Sequence, residues 1–304
     1  MSFPWESSSA KVPVTAHSDM GEIMSRIVRK LVAAACGIPL VLTMMTGSAQ
    51  AASATTDHGH PQRCGRWMAL TFDDGPSHYR TQTLRTLRTK RVPVTFFEVG
   101  MRVAANPQFA AFEVVEGHLV LNHTWSHPHL PTLTAAQVES QVLRTQEVLR
   151  KAGAPMPFKL LRPPFGDIDA AVDAELTSLG YHHVNWDVVA TDWDVTTTSA
   201  EIRDTIVTAF RPDLVILMHD GAIDSANGPA DEAALPQVID QARKLGYCFG
   251  QLSAVGTVAP ARYRGSHAPI PEVINPVPYL PLGSYSGTLL PPQPYVIVDP
   301  ASQL

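Results

Sequence analysis

The 304-residue sequence predicts an α/β protein in which seven parallel strands close as an incomplete barrel, followed by a Pro-rich tail. Three observations point there. Short apolar runs alternate with helical periods from Arg66 to about Ser253. Titratable or metal-binding side chains stand at the ends of five of those runs, the place where barrels gather their chemistry. Beyond Val255 charge and helical period fade, and about ten prolines fall in the last fifty residues. An open sheet is the other arrangement the alternation allows; the polar groups at strand ends favour the barrel. An apolar fraction of 45% suffices for one sizeable core, and a net charge of −5 lacks the basic stripe of a nucleic-acid binder.

Taken in order, residues 1–51 read as an N-terminal extension and a signal peptide. Arg26, Arg29 and Lys30 precede an apolar run over 31–46, and Ala49-Gln50-Ala51 has the small-x-small form of a cleavage site. Cleavage is expected after Ala51, with the mature chain outside the cytoplasm. The run is short for a membrane span, so none should remain after cleavage. Residues 52–65 form a flexible mature start, 66–255 the main domain and 256–304 the tail, packed on the domain or spanning a cell wall. Strands are expected over 67–72, 93–99, 118–122, 158–162, 182–189, 213–219 and 246–252. Helices are expected over 79–91, 106–116, 134–152, 168–179, 198–210 and 236–245. The helix over 134–152 has Thr134 and Gln137 at capping-box spacing, a Val138, Val142, Thr145, Leu149 stripe, and Gly153 as its stop. Pro236 suits the first turn of the last helix. Of the three cysteines, Cys36 lies in the leader; Cys64 and Cys248 pair if the first and last strands are neighbours, and otherwise stay free thiols.

Five motifs carry the chemistry. Thr71-Phe72-Asp73-Asp74-Gly75-Pro76 ends the first run with two adjacent carboxylates and a turn. His123-Thr124-Trp125-Ser126-His127 follows the third; its histidines share a face if the segment coils as a helical turn, whereas His129 has the wrong spacing. With a carboxylate from another strand end they make a His-His-Asp set with open positions, the pattern of a catalytic metal site. Arg162-Pro163-Pro164-Phe165-Gly166 aims a guanidinium from a rigid loop. Asp192-Trp193 and Leu217-Met218-His219 complete the series. Each alone has a plain structural reading, as an Asx turn, solvent-facing loop histidines or an exposed arginine; their recurrence at successive strand ends is what argues for a site.

In order and spacing these motifs resemble the polysaccharide deacetylases, carbohydrate esterase family 4, over about residues 66–253. The resemblance implies a distorted (β/α)7 barrel and metal-dependent removal of acetyl groups from polysaccharide, peptidoglycan or chitin-like. It implies Asp74, His123 and His127 as ligands of a divalent metal, zinc first and cobalt also admitted. Asp73 would be the general base, oriented by Arg162, and His219 the general acid, oriented by Asp192. The backbone N–H of Phe165 would meet the oxyanion, and Trp193, Leu217 and Pro164 would contact substrate. The family usually has tyrosine where Phe165 stands, which costs a hydroxyl contact but no backbone one. The segment 220–232 is expected as a loop shaping the sugar groove. An O-acetyl (acetylxylan) esterase is the alternative within the family. An inactive carbohydrate-binding wall protein and a non-haem iron oxygenase are the readings from other classes. Asp73 and His219 speak against the first, Asp73, Arg162 and the leader against the second.

Overall fold

The computed structural model describes residues 64–220 and 228–272. The leader, most of the expected mature start, part of the 220–232 segment and the tail from 273 lie outside the described residues. The strands are β1 (Trp67–Gly75), β2 (Thr95–Glu98), β3 (Leu119–Asn122), β4 (Leu160–Leu161), β5 (His182–His183), β6 (Val188–Val189), β7 (Leu214–His219), β8 (Cys248–Leu252) and β9 (Val258–Ala259). The helices are α1 (Arg80–Lys90), α2 (Gly100–Ala105), α3 (Gln108–Glu116), α4 (Ala135–Lys151), α5 (Ala170–Ser178), α6 (Ser199–Thr208) and α7 (Gly228–Lys244). Among the described residues no helix is long and apolar enough to cross a membrane.

Strand order is β5-β4-β3-β2-β1-β7-β6, all parallel, and the connectivity forces this sheet to curl. Flat, the edge strands β5 and β6 would lie about 29 Å apart. Only residues 184–187 separate them in the chain, and that link reaches about 17 Å at most. Its ends are tied to the two edges: Val184 N–H donates to the Leu161 carbonyl and Asp187 N–H to that of Val215, both at 2.9 Å. The barrel is therefore completed by a chain link rather than a hydrogen-bonded ladder. This corrects the expected strand over 182–189, which is two short strands on opposite edges.

β8 pairs with the first half of β1, Trp67–Ala69, while β2 pairs with the second half on the same side. β9, which lacks a strong sequence signal, runs antiparallel to β8. The disulfide Cys64–Cys248 forms where β8 meets the lead into β1, so the first and last expected strands are neighbours. Two helical expectations also change. The six-residue α2, too short to show a period, precedes α3. α7 starts at Gly228, so Pro236 lies inside it and residues 228–232 are helix rather than loop. Residues 260–272 lie along the outside of α1 and α3: Arg264 N–H donates to Glu116 O (3.0 Å), Thr81 Oγ1 to Pro271 O (2.7 Å), and Gln108 Nε2 to Glu272 O (3.1 Å).

Alternation along the strands sorts the core. Met68, Leu70 and Phe72 of β1 pack outward with Ile216 and Met218 against the α1, α6 and α7 layer. Ala69, Phe97, Leu121, Leu160 and Val215 fill the barrel interior. By the same period Thr71 and Asp73 face inward, as do Leu217 and His219 on β7. Thr71 is in register with Leu217, and Asp73 with His219.

Candidate active site

Asp73 reaches the barrel mouth by the strand period, but Asp74 would then point away. A left-handed backbone at Asp74 (φ 69°) and a register shift between Phe72 and Gly75 turn its carboxylate back into the same mouth. Both aspartates are 2% exposed. The histidines of the second motif also converge, though not on a helical turn. Residues 123–127 form a loop with Thr124 (φ 68°) and His127 (φ 58°) left-handed. Side chains that the sequence reading did not single out hold this shape. Asn122 Oδ1 accepts Thr124 N–H, and Gln141 Oε1 on α4 accepts the N–H groups of both Trp125 and Ser126, all at 2.9 Å. An amide beside the Val138, Val142, Thr145, Leu149 stripe of that helix was the only available signal for Gln141.

The Asp74, His123 and His127 ligand atoms lie within 4.8 Å of one another, all buried. Asp74 Oδ1 is 3.4 Å from His123 Nε2 and 3.2 Å from His127 Nε2. Ligand atoms about 2.0–2.1 Å from one tetrahedral ion stand roughly 3.4 Å apart. The tautomer fits too: His123 Nδ1 lies 2.8 Å from the Arg162 carbonyl, which can only accept, so the proton sits on Nδ1 and the Nε2 lone pair faces Asp74. Among the described residues Asp74 Oδ1 is buried with no hydrogen-bond partner, which an ion would provide. Burial, against the pull of Asp74, pushes His127 down to about 3, keeping its imidazole neutral. Burial opposes the Asp74 charge, but the histidines gathered around it hold its carboxyl below the usual carboxylate range. These residues fit a divalent cation.

Two charged pairs flank this trio. Arg162 is fully buried; its Nη1 donates to Asp73 Oδ1 (2.8 Å) and Thr71 Oγ1 (2.7 Å), its Nη2 to the Asn185 carbonyl (3.0 Å). On the other side, Asp192 Oδ2 accepts His219 N–H at 2.6 Å and Oδ1 accepts Nδ1–H at 2.8 Å. His219 Nε2 is thereby aimed at the centre, 3.9 Å from Asp74 Oδ2. Burial works against the imidazolium, but the field and hydrogen bond of Asp192 outweigh it and raise His219 to about 10.

Phe165 has φ 60° and a half-exposed ring that sits edge-on to His127 and stacks on His129. His129 thus lies behind Phe165, paired with Asp167 at 3.0 Å, outside the ligand set. Trp193, also half-exposed, stands edge-on to His219. Leu217 is buried on the inner face and Pro164 is buried within its loop, so the exposed apolar surface comes from Phe165 and Trp193. Asp231, near the start of α7, is buried, and among the described residues both its carboxyl oxygens lack a partner; burial first, then the field of Asp192, raises it to about 10.

Comparison with known proteins agrees with this geometry. The family model for polysaccharide deacetylase matches residues 60–184. The chain is 33% identical over 190 residues to a bifunctional xylanase/xylan deacetylase of Cellvibrio japonicus, covering 62% of this chain and 27% of that protein. It thus spans about a quarter of that relative. It is 36% identical over 157 residues to a chitooligosaccharide deacetylase of Bradyrhizobium sp. (strain ANU 289), covering 51% of this chain and 71% of that protein. A family 4 carbohydrate esterase from Streptomyces lividans, solved in complex with acetate, superposes with a TM-score of 0.59 at 34% identity, covering 65% of this chain and 98% of that one. Residues 60–184 carry the strand ends that build the buried Asp-His-His set, and with 71% of a 36% identical relative covered, the chain belongs to the polysaccharide deacetylase family.

Proposed function

We propose that the protein is a secreted, metal-dependent hydrolase that removes acetyl groups from an N-acetylated polysaccharide, peptidoglycan or chitin-like. One observation carries this reading. A buried base held by Arg162 and a buried acid held by Asp192 face each other across the Asp74, His123, His127 trio. Asp74, His123 and His127 would hold a divalent metal, zinc or cobalt, which when bound would supply Lewis acidity to a water and to the acetyl carbonyl. Asp73 takes the attacking water's proton. The Arg162 guanidinium holds its Oδ1 in place, so it serves as a positioned acceptor. The backbone N–H of Phe165 donates to the oxyanion of the tetrahedral intermediate. His219, protonated up to about pH 10, hands its Nε2 proton to the departing amine as the C–N bond breaks. Leu217 and Trp193 wall the space for the acetyl methyl, and Phe165 lies beside the sugar.

Export rests on the leader pattern, and the Cys64–Cys248 disulfide supports it, since such bonds persist in oxidising compartments. The relative named as a xylan deacetylase makes an O-acetyl ester the second reading. An alcohol leaves more readily than an amine, so His219→Ala would slow an amidase far more than an esterase. The first test is acetate release by the mature chain on peptidoglycan, chitooligosaccharides and acetylxylan, metal-free and with zinc or cobalt. Metal-dependent release that Asp73→Asn lowers at least a hundredfold is expected. No release from folded, metal-loaded protein on any of the three would sink the proposal.

A further inference from the structure

Directly beneath the metal-binding turn lies a second cluster of charge that the mechanism does not use. Arg80, the first residue of α1, is 0% exposed. Its Nη1 donates to Glu98 (2.6 Å) and to Glu113, and its Nε to Asp220. The guanidinium also lies over the Phe96 ring, 4.0 Å from its centroid. Each of these partners stands on a different element: Glu98 ends β2, Glu113 lies on α3, and Asp220 follows β7.

The placement links this cluster to all three parts of the candidate site. A Cβ on Gly75 would overlap Arg80 Nη2 and come within 2.9 Å of Glu98 Oε2, so the guanidinium packs directly under the turn after Asp74. The Gly75 carbonyl accepts Val99 N–H at 3.0 Å, and the Glu98 carbonyl accepts His123 N–H at 3.0 Å. Asp220 adjoins His219, and its carbonyl accepts Ser77 Oγ from the far side of the same turn. One cation against three carboxylates would leave excess negative charge. Burial raises Glu98 to about 7 and Glu113 well above the carboxylate range, so protons relieve part of it.

Such a cluster is a poor way to gain stability, because desolvation of buried ions offsets much of their attraction. Its value lies in geometry: a planar fork fixes the directions of several partners at once. We propose that Arg80 is a positioning residue that holds the Asp74 turn, the His123 strand end and the His219 strand end at fixed mutual distances. The inference rests on the deacetylase reading for its activity arm alone.

The test compares two folded variants with the parent. Arg80→Lys keeps the charge but not the fork. The set Arg80→Met, Glu98→Gln, Glu113→Leu, Asp220→Asn removes the ions and retains packing, so one folded variant remains if the other is lost. Cobalt(II) affinity and its visible spectrum report on Asp74, His123 and His127 without substrate; kcat and KM for acetate release report on the whole site. Expected are cobalt binding weakened at least tenfold with an altered spectrum, and kcat lowered at least tenfold with KM changed less than threefold. Cobalt affinity, spectrum and kcat within twofold of the parent, in either folded variant, would overturn it. If the parent itself releases no acetate, the functional reading fails, while the cobalt arm still decides the role of Arg80.

Discussion

Asp192 spends both carboxylate oxygens on one histidine, taking the backbone N–H of His219 through one and Nδ1–H through the other. The first contact fixes where the residue sits, the second which nitrogen carries the proton and how tightly. His219 is raised to about 10, despite burial, because that carboxylate favours the imidazolium. An acid with a raised pKa is present in its working form below that value and lost above it. Asp192→Asn removes the charge, so the proton leaves at lower pH. The alkaline limb of kcat/KM should move toward the acid side by at least one pH unit, with kcat at pH 7 down at least tenfold. A pH–rate profile of the two proteins on one substrate checks this; an unmoved limb would remove His219 from the role of acid. The sequence named both residues but not their geometry, since nothing in Asp192-Trp193 shows that the carboxylate faces β7. The reach of Arg162 to Thr71 was equally hidden, because it depends on the inward period of β1 and on how far the barrel curls.

Helix α4 was the most legible element, and its structure repeats its sequence signal. Thr134 accepts Gln137 N–H while Gln137 returns a bond to Thr134 N–H, and Val138, Val142, Thr145 and Leu149 are buried. Gln141 on the same face then shapes the loop of His123 and His127. Thr134→Ala should cost about 1 kcal/mol, seen as a melting temperature lower by about 2–4 °C. Activity at 25 °C should stay within twofold, because Gln141 lies nearly two turns beyond the cap. A calorimetric scan with an acetate assay checks both; a large loss of activity would mean that the cap, too, holds the site. Where sequence reading erred, the cause was length or compensation. α2 is only six residues long, too short to show a helical period. The 182–189 run begins and ends in strand-forming residues around Asn185 and Asp187, and the sheet needs its middle as a bridge between two edges rather than as strand. Pro236 resembled a first-turn proline because the signals preceding Gly228 are weak.

At the scale of the whole molecule the barrel has a chemical mouth and a separate, partly polar base. At that base His118 is buried between Phe96 and Tyr263, its Nδ1 accepting Val94 N–H at 3.3 Å, while Nε2 has no partner among the described residues. Burial first, then the field of Arg80, lowers it to about 3. In the unfolded chain the same imidazole takes a proton near its ordinary value of about 6.5. Between those values the unfolded state binds more protons, so stability falls as the pH drops from 6.5 toward 3, on the order of 1.4 kcal/mol per pH unit from this group. Glu98 and Glu113 act in the opposite sense, since burial raises them and acid favours their folded, protonated forms. Total acid lability therefore mixes the two, and only a difference isolates His118. His118→Phe keeps the ring contacts but leaves Val94 N–H unpaired, so it should be less stable than the parent at pH 8. Because it lacks the titrating group, its deficit should shrink as the pH falls and be smallest near pH 4. Urea midpoints of both proteins at half-unit steps from pH 8 to 4 measure that difference. Parallel curves would mean that His118 is charged in the folded state and that its burial at the barrel base exacts no proton-linked cost.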